Sequence, residues 1–200
     1  MHGMNVGILG SGKVGGAIGK GLARRGHTVV FASRDPLGSK QELLSQVPAA
    51  RVQTLQETVD ASDLLVVAIP WNALPDVLSG LRGLEGKILL DATNRFGNFE
   101  KSAAEDLAAL IPGAKVVKAF NTLGYEHMDG PQFIEKPSML VAGDDLQAKR
   151  IVMQLSEELG FEAIDAGPLS SAAALELLAR TWVGLTRTLG RNFAFRVLRK

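Results

Sequence analysis

The sequence predicts an α/β fold, in which a doubly wound, mostly parallel sheet is followed by a small C-terminal helical segment. Three observations predict it. Short apolar runs recur along the 200 residues, helical patterns lie between most of them, and a glycine-rich turn joins the first run to the first helical pattern. The runs are rich in Val, Ile and Leu and lack strict polar alternation, which is typical of strands covered on both faces.

The apolar runs give eight candidate strands. They are residues 4–9, 28–32, 51–55 (the weakest), 63–69, 87–92, 115–120, 138–142 and 161–164. The first helix is predicted over residues 13–25, because Val14, Ile18 and Leu22 share one helical stripe and Gly26 follows as a stop signal. Another helix is predicted over residues 102–110, before a Pro-Gly break.

The C-terminal part begins at Gly167 and Pro168, the last break in the chain. One long helix is predicted after it, over residues 170–189. Its apolar stripe consists of Leu175, Leu178, Ala179, Trp182, Leu185 and Leu189. The chain is therefore expected to divide into a sheet domain of residues 1–167 and a helical segment of residues 168–200, with loops over residues 94–101 and 124–137.

The composition excludes several classes of function. Apolar residues make up 46% of the chain, and 22 Lys and Arg are balanced by 21 Asp and Glu, which gives no reason to expect nucleic acid or an anionic membrane as a partner. The absence of cysteine excludes zinc-thiolate sites, iron–sulfur clusters and thiol nucleophiles. No signal-peptide pattern or run of membrane-spanning length occurs, so a cytoplasmic protein is expected.

The glycine-rich turn has the pattern G-x-G-x-x-G and consists of Gly10, Ser11, Gly12, Lys13, Val14 and Gly15. It follows a strand and opens a helix, the context in which this pattern binds a dinucleotide in a Rossmann fold. The first glycine allows a tight turn, the second lets the backbone approach a pyrophosphate, and the third lets helix and strand pack closely. The start of the helix offers free N–H groups to the phosphates.

The end of the second strand favours NADP(H) over NAD(H). An NAD-binding unit usually has Asp or Glu there, to accept hydrogen bonds from the ribose hydroxyls. This chain has Ser33 and Arg34, and an arginine holds a 2′-phosphate with charge-assisted bonds. Asp35 is the counter-evidence, because a shift of two residues would restore an NAD-like acid. Lys40 is a further candidate contact, although a solvated lysine is the commoner case.

Ligands of open α/β sheets bind beyond the carboxyl ends of the strands. Small and uncharged groups follow three of the predicted strands and suit contacts to ribose and to the nicotinamide carboxamide. These candidates are Ala68, Ile69 and Pro70 after the fourth strand, Asn94 after the fifth, and Asn121, Thr122 and Leu123 after the sixth.

No acid–base or nucleophile constellation stands out, so no catalytic residue is assigned. The three histidines are scattered and do not form a metal site, and His127 is the one nearest to the predicted ligand edge. Hydride transfer does not strictly need a protein acid or base, because the cofactor carries the chemistry. The pattern therefore favours an acceptor that takes hydride directly.

Several of these segments together resemble the F420-dependent NADP reductases and the cytosolic reductase domains of membrane metalloreductases. They are residues 10–15, residues 33–35, the Val-Val-Lys-Ala-Phe-Asn-Thr run at 116–122 and the Gly-Pro-Leu break at 167–169. The resemblance implies a dimeric NADP-binding Rossmann domain that passes hydride between NADPH and coenzyme F420, a deazaflavin. It further implies that Ser33 and Arg34 hold the 2′-phosphate and that residues 121–123 lie beside the nicotinamide.

Two departures concern the acceptor. F420-dependent enzymes commonly have an arginine in the helix after Gly-Pro-Leu, where this chain reads Ala-Ala-Ala-Leu-Glu at 172–176. Archaeal members often have histidine where Asn121 stands, whereas the metalloreductase domains have asparagine. The second substrate therefore stays open between coenzyme F420 and a flavin. An imine or hydroxyacid reductase and a non-catalytic NADP-binding sensor are the alternative functions.

Overall fold

Eight strands form one sheet in the computed structural model, which describes residues 3–35, 44, 45, 47, 49–97 and 100–200. The strands are β1 (Asn5–Leu9), β2 (Thr28–Ala32), β3 (Arg51–Gln53), β4 (Leu64–Val67), β5 (Ile88–Asp91), β6 (Lys115–Lys118), β7 (Ser138–Gly143) and β8 (Glu162–Asp165). Their order is β3-β2-β1-β4-β5-β6-β7-β8, and every neighbouring pair is parallel except β6 and β7. The predicted α/β fold with a mostly parallel sheet is confirmed.

The first six strands have the order 3-2-1-4-5-6 of a Rossmann fold. The strand order reverses between β1 and β4. The connection from β1 leads through α1 to β2 on one side of this point, and the connection from β4 leads to β5 on the other side. A crevice opens there at the carboxyl ends of the strands, which is where open α/β sheets bind their ligands.

The helices of the described residues are α1 (Lys13–Arg24), α2 (Leu55–Asp60), α3 (Leu74–Leu78), α4 (Ala103–Leu110), α5 (Leu146–Glu158) and α6 (Ala172–Leu189). Helices α2 and α4 begin in capping boxes, in which Thr54 and Ser102 accept from the N–H groups of Glu57 and Glu105. The loop predicted over residues 124–137 contains a 3-10 turn at Tyr125–His127, and the last helix is preceded by another at Leu169–Ser171.

Side chains that alternate along each strand build two hydrophobic cores, one on each face of the sheet. Leu64 and Val66 of β4 pack with α1 and α5, whereas Leu65 and Val67 pack with α2, α3, α4 and the start of α6. All four β4 side chains are fully buried. Strands covered on both faces need no polar alternation, which explains the continuous apolar runs.

Helix α6 is buried on one face only as far as Trp182. Leu175, Ala179 and Trp182 are buried, but Leu185 and Leu189 are exposed, so only the first part of the predicted apolar stripe packs on the rest of the chain. After α6 the chain returns along β7, where Ser138 N donates to Phe195 O at 2.9 Å. Among the helices that the structure describes, none combines the length and hydropathy of a membrane span. The boundary at residue 167 stays a prediction.

Candidate dinucleotide-binding site

The glycine-rich turn, residues 10–15, is called the phosphate turn below. Gly10 has φ 104°, and a Cβ there would lie 2.5 Å from the carbonyl oxygen of Ala68. At Gly15 a Cβ would overlap the carbonyl oxygen of Gly10. The fold itself therefore requires glycine at both positions, the first for its left-handed backbone and its neighbour, the second for close packing of α1 on β1.

Gly12 differs from these two glycines. Its φ of −73° and ψ of −164° suit any residue, and no described atom lies within 4 Å of where its Cβ would be. It is the N-cap of α1, yet no side chain caps the free N–H groups. The missing side chain leaves open space in front of the helix N-terminus, as the approach of a pyrophosphate requires.

A cleft of about 560 Å³ lies at the reversal point, between the ends of β1, β2 and β4. It brings together six of the residues predicted from the sequence: Gly10, Ser11, Ser33, Arg34, Ile69 and Pro70. Gly12, Lys13, Val14 and Ala68 adjoin this group in the chain but do not line the cleft. Asn94, Asn121, Thr122 and Leu123 lie further along the same edge of the sheet, beyond β5 and β6.

The wall of the cleft after β2 carries the residues that were expected to select the cofactor. Arg34 is exposed and lines the cleft. Ser33 is held by a bond from its N–H to Gln53 O at 2.9 Å, and its Oγ accepts from Asp35 N at 3.1 Å. Asp35 lines the same wall, so the arginine and the acid lie side by side at the end of β2. Lys40 lies outside the described residues.

The amides of Asn94 and Asn121 meet beyond β5 and β6, and these two residues with Thr93 are called the amide edge. Asn121 Nδ2 donates to Asn94 Oδ1 at 3.1 Å and to Leu175 O of α6 at 3.0 Å, while Asn94 Nδ2 donates to Asn121 O at 3.2 Å. Thr122 and Leu123 are buried behind it.

Two buried oxygens of the amide edge, Thr93 Oγ1 and Asn121 Oδ1, have no hydrogen-bond partner in the described part of the chain. A buried acceptor without a donor costs free energy, of the order of 1–3 kcal/mol, unless a ligand or water supplies one. A carboxamide carries two N–H donors, so these atoms fit the nicotinamide end of a dinucleotide. Phe120, which precedes Asn121, has φ 60°, an unusual conformation for a bulky residue and one that tends to occur at functional sites.

Three buried charged residues lie directly under the amide edge, and we call Asp91, Lys118 and Glu176 the charge triad. Their exposed fractions are 0%, 0% and 2%. Lys118 Nζ lies 2.8 Å from Asp91 Oδ2 and 2.7 Å from Glu176 Oε1, and it also donates to Thr93 O at 2.6 Å. Sequence reasoning missed the triad, although a lysine inside an apolar strand is a signal, because buried charges are paired.

A second charged group, around Tyr125, ties the C-terminal tail to the phosphate turn. Lys13 Nζ and Arg191 Cζ lie 5.0 Å and 5.5 Å from the centre of the Tyr125 ring. Arg191 Nε donates to Glu126 Oε1 at 2.6 Å. Partial burial acts to raise the pKa of Glu126, but the hydrogen bond and charge of Arg191 hold that pKa below its ordinary value.

The histidine nearest to the predicted edge serves the packing of the tail. His127 is buried, its Nε2 lies 3.3 Å from Arg191 O, and its ring packs on Phe133 at 4.7 Å between centres. Among the described residues no group of three or more His, Asp or Glu side chains is arranged to hold a metal ion.

Comparison with known proteins decides the family. The profile of a family described as "NADP oxidoreductase coenzyme F420-dependent" matches residues 5–95. A crystal structure from Arthrobacter sp. FB24, assigned as an F420-dependent NADP reductase, is 30% identical, has a TM-score of 0.90, and the match covers 98% of this chain and 100% of that one. The chain belongs to the F420-dependent NADP oxidoreductase family. The resemblance drawn from the motifs is thereby confirmed.

Two curated proteins extend the comparison of this F420-dependent oxidoreductase family member. Rat metalloreductase STEAP3 is 32% identical over a 178-residue alignment, which covers 86% of this chain and 36% of that protein. The F420-dependent NADP reductase of Methanocaldococcus jannaschii is 24% identical over a 147-residue alignment, which covers 65% of each chain. The chain thus spans about a third of the length of the metalloreductase. The family profile ends at residue 95, before Lys118, Asn121 and Glu176.

Proposed function

We propose that this protein is an NADP(H)-dependent oxidoreductase that transfers hydride between NADPH and a deazaflavin such as coenzyme F420, or a flavin. The observation that carries the proposal is the cleft itself. The cleft joins the phosphate turn to a wall that bears Ser33 and Arg34. Neither the backbone conformation nor the packing at Gly12 requires glycine at that position of the turn. The reductase names of the relatives support the same reading.

At the phosphate turn, the N–H groups at the start of α1 would hold the pyrophosphate, with the positive end of the helix dipole behind them. The guanidinium of Arg34 and the hydroxyl of Ser33 would hold the 2′-phosphate. A guanidinium presents parallel donors that match two phosphate oxygens, and a carboxylate in that place would repel them.

A dinucleotide fixed in this way extends from β2 past β1 toward β4, β5 and β6, so its nicotinamide belongs at the amide edge. The bound cofactor would supply the hydride chemistry. Ile69 and Pro70 would form the apolar floor, and Asn94, Asn121 and Thr93 would orient the carboxamide through the two oxygens that lack donors. The residues of this edge bind and orient, and none is positioned as a nucleophile.

Titration of the protein with NADPH and with NADH tests the cofactor assignment. We expect NADPH to bind at least about tenfold more tightly, because one charge-assisted contact contributes about 1.5–3 kcal/mol. Arg34→Gln should remove most of that difference and leave NADH binding unchanged. Arg24→Gln is the matched control, since Arg24 pairs with Asp129 on the outer end of α1. Equal or tighter binding of NADH by the wild-type protein would overturn the assignment.

An absorbance assay with coenzyme F420, FMN and FAD tests the acceptor. Loss of NADPH absorbance with one of them supports the oxidoreductase and names its partner. Tight NADPH binding without oxidation by any of the three would favour a non-catalytic NADP sensor instead.

We further propose a homodimer formed through the second half of α6. Val183 and Leu189 are exposed, Leu185 is at the limit of exposure, and no described atom lies within 4 Å of a Cβ at Gly184. A surface of this kind permits close approach of a second helix. Light scattering that gives the mass of one 21.3 kDa chain would contradict the dimer.

A further inference from the structure

The charge triad holds more negative than positive charge. Its two carboxylates and single ammonium leave a net charge of −1 in a place that water does not reach. Both carboxylates are placed as acceptors. Asp91 Oδ1 accepts from Thr93 N at 2.9 Å, and Glu176 Oε2 and Oε1 accept from Arg95 N at 2.9 Å and Ala103 N at 2.8 Å.

The neighbouring charges do not cancel this excess. The guanidinium of Arg95 turns away, toward Asp106 at 2.9 Å and over the Trp71 ring at 4.8 Å. Arg95 and Asp106 therefore compensate each other. The N-terminus of α4, where Ala103 N donates to Glu176, adds only a partial positive charge.

The strand register fixes how far the triad lies from the phosphate turn. Leu9, Val67, Asp91 and Lys118 form one row across β1, β4, β5 and β6. Leu9 directly precedes the turn, and neighbouring strands are about 4.8 Å apart, so Asp91 lies about 10 Å from it and Lys118 about 14 Å. The triad is thus under the region into which the nicotinamide half of a bound dinucleotide must extend.

We propose that the charge triad makes this site favour the oxidised, cationic nicotinamide relative to the reduced, neutral one. The inference rests on the proposed function, since it needs a nicotinamide at the amide edge. Oxidation of the ring adds one positive charge there, and the buried negative charge beneath the amide edge attracts it in surroundings of low dielectric constant. Bound NADPH is in this way made a stronger hydride donor to the deazaflavin or flavin acceptor.

A purely structural role of the triad makes a different prediction. Glu176 joins α6 to β6 and α4, so its loss could loosen the whole edge. A looser edge would weaken NADP⁺ and NADPH together. Only the charge effect changes the ratio of their two dissociation constants.

The test is to titrate Glu176→Gln and the wild-type protein with NADP⁺ and NADPH separately, at one ionic strength. We expect the ratio of the dissociation constant for NADP⁺ to that for NADPH to rise about tenfold in the variant, the effect that one charge would have at an assumed separation of about 10 Å with an effective dielectric constant near 20. Glu176→Asp keeps the charge and should keep the ratio. Glu158→Gln, which removes a carboxylate paired with His27 at the opposite edge, should also leave the ratio unchanged.

A folded Glu176→Gln protein whose ratio stays within twofold of the wild type would overturn the inference, even if both affinities fall. Asp91→Asn removes the same charge from β5 and serves if Glu176→Gln does not fold. If neither variant folds, the wild-type protein decides: tighter binding of NADP⁺ supports the inference and tighter binding of NADPH overturns it. A wild-type protein that binds neither nucleotide would instead overturn the proposed function on which the inference rests.

Discussion

The phosphate turn and the charge triad lie on the same edge of the sheet but are built in opposite ways. The turn comes from six consecutive residues, presents backbone N–H groups, and leaves open space at Gly12. The triad comes from residues 27 and 58 positions apart in the chain, uses side chains, and is closed to water. The turn would be completed by a ligand, whereas the triad is completed by the fold.

This contrast separates binding from stability. A change at Gly12 or Arg34 removes contacts that only a ligand makes, so the folded protein without ligand should be almost unaffected. A change in the charge triad leaves a buried group without its partner, and the penalty falls on folding itself. Three variants test that separation.

The largest effect is expected for Lys118→Met, which leaves two buried carboxylates without their cation. The unfolding free energy should fall by about 4 kcal/mol, the usual scale for breaking a buried ion pair on one side. Lys115→Met is the matched control in the same strand, because Lys115 is partly exposed and lies 3.5 Å from Asp145. The control should lose less than about 1 kcal/mol in urea titrations. If Lys118→Met lowered the unfolding free energy no more than Lys115→Met does, the buried ion pairs of the triad would not stabilise the fold as described.

An intermediate effect is expected for Gly12→Ala, and it should appear in binding alone. A Cβ at the helix start would meet the pyrophosphate, so NADPH affinity should fall about 100-fold, or about 2.7 kcal/mol. The unfolding free energy should change by less than about 1 kcal/mol, since neither φ nor packing requires glycine there. Gly80→Ala, at another glycine with empty space around its Cβ, should change neither quantity much. Full NADPH affinity in Gly12→Ala would argue against a pyrophosphate at the turn.

The smallest effect is expected at the partly exposed pair of Glu126 and Arg191. Arg191→Gln should cost about 0.5 kcal/mol of unfolding free energy at pH 7, after allowance for solvent screening. Because the pKa of Glu126 is lowered in the folded state, the stability that the pair contributes is present above the ordinary value of 4.5 and is lost as the pH falls through the lowered pKa. Urea titrations at pH 7 and pH 3 should therefore show a smaller difference at pH 3 than at pH 7. An equal loss of unfolding free energy at pH 7 and pH 3 would show that Arg191 stabilises the fold by packing on the rings of Tyr125 and Trp182.

The strand, turn and helix around residues 10–15 could be predicted from the sequence because the pattern is local. Its glycines, the strand before it and the helix after it can be read within fifteen residues, and all eight strands were located from apolar runs of the same kind. Arg34 was equally accessible, since it follows a strand directly. The cleft then brings the turn, Ser33 and Arg34 together with Ile69 and Pro70.

The charge triad could not be assembled from the sequence, because its partners meet only after the sheet and α6 have packed. Glu176 occupies an apolar stretch of α6 and resembles an ordinary solvent-facing residue until the helix is docked. Leu185 and Leu189, at the end of the predicted stripe, are exposed for the related reason that residue spacing marks one face of a helix but not how far other elements cover that face.

Glu176 also fixes the register of α6. Its carboxylate receives the ammonium of Lys118 and two backbone N–H groups, one from the loop after β5 and one from the first turn of α4. The residues one turn away on the same face are Ala172 and Arg180, and neither carries a carboxylate. If α6 slid by one turn, it would bury either a methyl group or a second cation against Lys118. The helix therefore packs on the sheet in a single register, and Leu175 O accepts a hydrogen bond from Asn121 only in that register.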